Sequence, residues 1–399
     1  MMSDDATAAR RGLIMLALAL GGFAIGVAEF ATMSILPYFA RDYGVGEAPA
    51  GHAISAYALG VCIGAPILAL LGARVSRRAL LVALMSFYAV ANGLSILAPT
   101  WGTFVATRFL AGLPHGAYFG VAALMAASMY ERGKRSQAVS RVMMGLTVAT
   151  ILGVPMANIF GAQIGWRWSF VLVVALAAGC ALTVRALAPQ LPAPANASPL
   201  NELSALKSRQ IWLTLLIGAI GTGGMFAVYT YVASTMMLHF HAPETAAPIM
   251  LMIFGIGMTL GQMVCGWGAD KSVTGATGIT LACSAVLLVG YWFAVDIYSM
   301  WLTAAALFAI GLTGGLSTIL QMRLMDLGGE APTLAVALNH SAFNVANALG
   351  PFLGGMALSM GAGWPTMGLV GAGLSVAGIL VWIVAVVDDA PSRRGMMPT

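Results

Sequence analysis

Charge is what this sequence has least of. Only 8% of its 399 residues are Asp, Glu, Lys or Arg, against roughly 25% in an ordinary soluble chain. So few charges cannot clothe a water-exposed surface, and 60% of the residues are hydrophobic. Lipid is the expected solvent for most of the chain. Cysteine is also scarce. Cys62, Cys180, Cys265 and Cys283 all fall in apolar runs without metal-ligand spacing, which reads as small buried side chains. No H-E-x-x-H, G-x-S-x-G or P-loop pattern occurs. The sequence therefore gives no support to a membrane enzyme, and the missing P-loop excludes ATP-driven export by this chain alone. Neither a metal nor a resident cofactor is expected.

Long hydrophobic runs are what the sequence does have. A membrane span needs about 20 mostly apolar residues. Twelve segments qualify: 12–39, 50–71, 79–98, 101–129, 136–161, 168–188, 210–237, 246–268, 276–295, 299–322, 334–360 and 365–387. The first is too long for the apolar region of a signal peptide and is expected to be a span. All should be helices, because only a helix satisfies the backbone of an isolated segment in lipid. With both termini on the cytoplasmic side, 16 of the 19 Lys and Arg residues fall in cytoplasmic loops or tails. Only Arg41 and Arg167 lie outside, and Arg108 is within a helix. That is the positive-inside pattern of a multi-pass cell (inner) membrane protein. The net charge of +5 then faces anionic lipid and needs no nucleic-acid partner.

Segment 189–209 interrupts the pattern. Pro189, Pro192, Pro194 and Pro199 cannot continue a helix. This segment is expected to be a cytoplasmic linker between six-helix units 1–188 and 210–399. The halves echo each other. Leu152-Gly153-Val154-Pro155 with Gly165-Trp166 matches Leu349-Gly350-Pro351 with Gly363-Trp364, and Gly112-Leu113 matches Gly311-Leu312. The near-constant offset predicts an all-α integral membrane protein of two pseudo-symmetric six-helix bundles. Parallel repeats of this kind place a substrate path at their interface.

Ionisable groups inside a span cost about 2.5–3.5 kcal/mol on insertion scales and tend to face a bundle interior or a wet cavity. Glu29 is the only ionisable residue between Gly12 and Ala40. It reads either as a proton-coupling carboxylate or as a glutamate that ties helices together. Arg108 lies at a similar depth, about 10 Å from the helix end against about 15 Å for Glu29, and is the expected partner. His115, seven residues on from Arg108, is a candidate to bind substrate or relay protons. Tyr118 is a candidate for the same path. In span 11, His340, Asn344 and Asn347 share one face, with Asn339 off it, and read as a wet cavity wall or as interhelical hydrogen-bonding groups. Tyr229, Tyr231 and Gln262 are further candidate substrate contacts, although the two tyrosines cannot both point into one cavity. The 25 methionines suit a broad apolar pocket.

Several motifs resemble the major facilitator superfamily. Gly266-Trp267-Gly268-Ala269-Asp270-Lys271 matches the gating signature between spans two and three of each half. Gly72-Ala73-Arg74-Val75-Ser76-Arg77-Arg78 is a shortened copy with serine at the acidic position. Arg108-Phe109-Leu110-Ala111-Gly112 resembles the fourth-span motif. Gly145, Gly153, Pro155 and Gly161 resemble the fifth-span antiporter pattern, whose final glycine pair is degraded here. The stretches 116–128, 145–170 and 338–355 are similar to the twelve-span drug:proton antiporters, within the arabinose-efflux-permease-like branch that includes chloramphenicol and sugar exporters. The resemblance implies a transporter, expected to act as a monomer, that exports a small organic molecule by alternating access on the proton gradient. The alternatives are proton-coupled uptake and a non-transporting receptor.

Overall fold

Among the described residues the regular elements are all helical, the form that keeps backbone polar groups paired where no water can reach them. The structure, a computed structural model, describes residues 4–72, 75–131, 135–190, 206–328 and 332–394. Most of the expected linker (191–205), Ala73 and Arg74 of the shortened gating motif, and Arg132 and Lys134 lie outside the described residues. Among the described residues, eleven helical segments are long and apolar enough to cross a membrane: spans 1 to 10 are Ala9–Ser34, Glu47–Leu68, Arg77–Leu97, Trp101–Ser128, Arg141–Gln163, Arg167–Leu187, Arg209–His239, Ala246–Lys271, Val273–Asp296 and Met300–Leu327, and span 12 is Thr366–Asp389. Span 11 is the 28-residue helix Pro332–Ser359, which covers all but the last residue of the expected segment 334–360.

Four spans that the sequence predicts as single helices are broken. Span 1 leaves the α-helix at Gly26, passes through a π-turn over Val27–Ala31, and breaks at Ile35 (φ −97°, ψ 8°) before Leu36–Tyr43, which has a proline in its first turn. Span 7 breaks at Tyr231 with nearly the same backbone angles (φ −105°, ψ 9°) and ends in a π-turn over Thr235–His239. Span 4 breaks at Leu113–Pro114 and span 10 at Gly314–Gly315. Pro114 has no N–H to continue a helix. The breaks fall at corresponding places in the two halves.

Packing repeats the same symmetry. In the first half, spans 1 and 5, 1 and 6, 3 and 6, 2 and 4 touch; in the second half the partners are 7 and 11, 7 and 12, 9 and 12, 8 and 10. Spans 2 and 4 approach at bare backbone. A Cβ on Gly60 would stand 2.2 Å from the Phe109 carbonyl oxygen, and one on Gly257 would stand 2.3 Å from that of Phe308. Contact this close needs glycine and holds helices in lipid by van der Waals fit. Helix starts repeat too. Ser76 accepts from Ala79 N at the head of span 3, as Ser272 accepts from Gly275 N at the head of span 9. Serine at the expected acidic position of the first gating motif is therefore a helix cap, the equivalent of Ser272.

The halves meet along spans 2 and 11 and along spans 5 and 8, pairs that the symmetry interchanges. Hydrogen bonds cross at several levels. At the end opposite the chain termini, Ser234 Oγ donates to Glu47 Oε2 (2.6 Å) and Ser55 Oγ to the Ala348 carbonyl (3.1 Å). Nearer the middle, Asn347 Nδ2 donates to Glu29 Oε1 (3.0 Å).

Candidate functional site

Glu29 sits in the π-turn of span 1. One extra residue in a turn rotates the rest of the helix by about 100° relative to a continuous α-helix, and such turns recur at functional sites. Side chains hold the turn open. The Ala28 carbonyl accepts from Thr32 Oγ1 (2.7 Å) and from Arg108 Nη2 (2.7 Å). A second π-turn, Ala149–Gly153 in span 5, touches the first. Its cause is in the sequence: Pro155 is the second residue after it and offers no N–H to the Ile151 carbonyl four residues back. Gly145 and Gly153 let span 5 lie against span 1, since Cβ atoms there would stand 2.0 Å from the Ala19 carbonyl oxygen and 2.5 Å from Val27 Cγ2. Gly161 likewise accommodates the ring of Tyr38. The antiporter-like glycines are thus the packing seam that carries both π-turns.

The Glu29 carboxyl is almost wholly buried (4% exposed). Its Oε1 takes the Asn347 amide, and its Oε2 stands 3.9 Å from His115 Nε2. Arg108 is not its contact partner: no Glu29–Arg108 pair lies within the 4.0 Å of an ion pair. Arg108 reaches the same turn but takes its carbonyl, with Nη1 on Asn92 Oδ1 (3.1 Å) and the guanidinium over the rings of Tyr57 (4.5 Å) and Phe170 (5.1 Å). A buried guanidinium is satisfied by carbonyl and amide oxygens as well as by a carboxylate. Depth alone could not distinguish these acceptors.

Beside Glu29 lies a cavity of about 80 Å³, lined from both halves. His115, His340, Asn344 and Gln262 line it, whereas Asn347, expected on the same wall, is not among its lining residues and reaches Glu29 instead. His340 stacks on Phe119 of the other half, with ring centroids 5.8 Å apart and planes 8° apart. Asn344 Nδ2 donates to its own helix at His340 O (3.0 Å), leaving its buried Oδ1 without a protein partner. Gln262 is hydrogen-bonded by Thr318. Asn339, expected off the polar face, also lines the cavity and donates to the Ser317 carbonyl (3.1 Å). It does so because the cavity wraps from span 11 onto span 10.

Other candidates lie elsewhere. Tyr118 is a correction: it is buried between helices, donates to the Leu18 carbonyl (2.7 Å), lies against Cys180 Sγ (3.7 Å), and lines no part of the cavity. Tyr229 is behind the wall, edge-on to Phe30 (6.0 Å) and against Phe254 (4.5 Å). Tyr231 points away, donating to the Pro351 carbonyl (3.0 Å). The gating-motif residues Gly72, Arg77, Arg78, Gly266, Asp270 and Lys271 are at the termini end, remote from Glu29. Arg77 donates to the Leu124 carbonyl (3.3 Å), and Arg78 donates to the Arg185 and Ala188 carbonyls at the end of span 6. There the cations also complement the negative end of the helix dipole. Asp270 is exposed, and Lys271 stands 3.5 Å above the Trp267 ring.

Sequence pattern did not single out Tyr57, Tyr88 and Asn92. Tyr57 OH bonds both His115 Nδ1 and Tyr88 OH, each at 3.0 Å, while Asn92 receives Arg108. Their signal was present as polar groups inside spans, but no face-sharing pattern marked them.

Interrupted helices in corresponding places, a polar cavity between repeated halves and a buried carboxylate in its wall fit a secondary-transporter architecture. The chain belongs to the Major Facilitator Superfamily, whose family model matches residues 18–332. It is 38% identical to the inner membrane transport protein YdhP of Escherichia coli (strain K12), over 93% of this chain and 95% of that one. It is 32% identical to the putative transporter AraJ of the same strain (91% and 92% covered) and 30% to a chloramphenicol resistance protein of Streptomyces lividans (94% and 98%). Among solved structures, a mutant of the nucleoside transporter NupG superposes with a TM-score of 0.75 at 14% identity, covering 94% of this chain and 99% of that one. At that identity the likeness speaks for the fold.

Proposed function

We propose that this transporter exports a small organic molecule from the cell in exchange for protons, by alternating access between bundles 1–188 and 210–399, with segment 189–209 as their cytoplasmic link. The observation that carries the reading is Glu29: a buried carboxyl in the cavity wall, held by Asn347 of the opposite bundle and paired, among the described residues, with no arginine or lysine within 4 Å. Such a group can gain and lose a proton as its surroundings change between states. Its bond to Asn347 gives that proton leverage over the bundle interface. The proton gradient drives the cycle without a resident cofactor. Relatives named as chloramphenicol resistance and probable sugar efflux proteins favour export over uptake. A cavity of about 80 Å³ is smaller than the roughly 300–1,000 Å³ of ordinary ligand sites, so this conformation must widen to load a solute.

Inverted membrane vesicles test the reading. With an acid lumen, at least one solute from a panel of antibiotics, sugars and nucleosides should accumulate inside, and collapse of the gradient should abolish the accumulation. Solute movement in the same direction as the proton overturns export in favour of uptake. Gradient-independent movement overturns proton coupling.

A further inference from the structure

Glu29 has two oxygens with different neighbours. Oε1 accepts from Asn347, so Oε2 is the atom open to a proton, and it faces His115 Nε2 at 3.9 Å. The other ring nitrogen of His115 is occupied by Tyr57 OH at 3.0 Å, and Tyr57 OH is held in turn by Tyr88 OH at 3.0 Å. All four side chains are buried. A ring held at Nδ1 by a fixed hydroxyl has only Nε2 to offer the carboxyl. The gap is one small side-chain movement, or one bridging water, beyond hydrogen-bond reach, as is common before a site is loaded.

We propose that His115 is the second proton carrier of this site and that Tyr57 is the residue that positions it. The inference rests on the reading of Glu29 as the proton-coupling group. With Tyr57 accepting from Nδ1–H, the Oε2–H bond of Glu29 breaks and an N–H bond forms at Nε2. A carboxylate and an imidazolium result, and Tyr57 and Tyr88 keep their own protons. The proton thus moves from the turn of span 1 to span 4 without crossing the cavity. The titratable and charged groups facing the pair are Tyr57 of span 2, Tyr88 of span 3, Arg108 of span 4, Tyr229 of span 7 and His340 of span 11. The cavity residues of spans 5, 8 and 10 are uncharged. Arg108 favours the carboxylate that the transfer leaves.

The test needs no transported solute. N,N′-dicyclohexylcarbodiimide adds to protonated carboxyls in apolar surroundings, and mass spectrometry of the Glu29 peptide from full-length purified protein reads the fraction modified against pH. Wild-type labelling should fall through a midpoint as pH rises. His115→Gln keeps a hydrogen-bonding side chain but holds no proton, so Glu29 must carry the proton alone. Its midpoint should rise by about one pH unit, the equivalent of a tenfold change in occupancy. Tyr57→Phe, which leaves the imidazole in place but unfixed, should move the midpoint in the same direction by less. Tyr57→Phe carries the test if His115→Gln does not fold. Midpoints in the folded variants that match wild type overturn the proposal while leaving Glu29 as the coupling group. Absence of Glu29 labelling at every pH overturns that underlying reading, and the proposal with it.

Discussion

At the scale of single residues, Glu29 and Arg108 divide their roles between chemistry and support. Glu29→Gln keeps an acceptor for the Asn347 amide and a similar volume, so folding should persist. Among the described residues it removes the only carboxyl in the cavity wall, so gradient-driven accumulation should drop to the level of empty vesicles while downhill exchange of the same solute continues. Uphill transport by the variant at neutral pH would sink the coupling reading. Arg108→Met should instead act on stability. It strips Asn92 Oδ1 of its arginine donor, at about 1–3 kcal/mol for a buried group left unsatisfied, and leaves the Ala28 carbonyl with Thr32 alone. Thermal melting in detergent checks this: an unchanged Tm would mean that water or rotamer shifts replace the guanidinium. Partner choice was the illegible part of this site. The sequence marked Glu29, His115, His340, Asn344, Asn347 and Gln262 because polar atoms inside apolar helices are conspicuous. It could not show that Asn347 rather than Arg108 reaches Glu29, because that depends on how two distant halves dock and on a π-turn that shifts the register. The same limit misplaced Tyr118, whose hydroxyl ties helices instead of facing the cavity.

At the scale of elements, hydropathy made all twelve spans legible and hid their interruptions. A break at Ile35 or Tyr231 costs nothing in average hydropathy, and the π-turns appear only where i→i−4 bonding fails. Pro155 was a visible cause of one such turn; nothing comparable flags Glu29. Close helix contact gives a sharper expectation. A Cβ on Gly255 of span 8 would stand 2.6 Å from the Thr150 carbonyl oxygen in the span 5 π-turn, across the bundle interface. Gly255→Val should therefore disfavour this conformation and favour the one in which spans 5 and 8 part. Cysteine probes at the end opposite the termini should react at least several-fold faster in that variant, and equal rates would show that the interface yields without opening. One helix junction should also respond to pH. Asp42 accepts from Arg167 Nη1 (2.5 Å) and Trp166 Nε1 (3.2 Å), joining the end of span 1 to the start of span 6. The Arg167 hydrogen bond holds the Asp42 carboxyl below its ordinary value of 3.8. A depressed carboxylate contributes stability above its unfolded pKa and loses it as pH falls through the folded one. Asp42 should thus add a small acid-side loss of stability below about pH 4. Asp42→Asn should lack that part of the acid limb in detergent melts. The pair is partly exposed, so solvent and salt screen most of its worth. An acid limb identical to wild type would show that screening is complete.

At the scale of the whole molecule, the internal repeat makes two conformations natural. Contacts between spans 2 and 11 and between spans 5 and 8 are exchanged by the symmetry, so each half can rock against the other about Glu29. What selects the present arrangement is asymmetric. At the end opposite the termini, the short helix Glu47–Ala50 of the first half touches span 11, and its Glu47 receives the Ser234 hydroxyl of span 7 at 2.6 Å. No matching bond appears among the described residues at the corresponding place in the second half. A hydroxyl donated to a carboxylate and released to water is worth at least about 1.5 kcal/mol net, about tenfold in the ratio of two conformations. Ser234→Ala should shift that ratio toward opening by this factor. Glu47→Gln keeps an acceptor and should shift it less. Spin labels at Arg41→Cys and Glu244→Cys, one on each half, in a background free of native cysteines, would report the distance distribution by pulsed electron resonance. A larger long-distance fraction in Ser234→Ala than in Glu47→Gln, with wild type lowest, is the expected order. Three identical distributions would mean that close contact between the halves, where an added Cβ on Gly355 would stand 3.1 Å from the Ala48 carbonyl oxygen and one on Gly51 3.7 Å from the Pro351 carbonyl oxygen, holds this end shut without help from the Glu47–Ser234 bond.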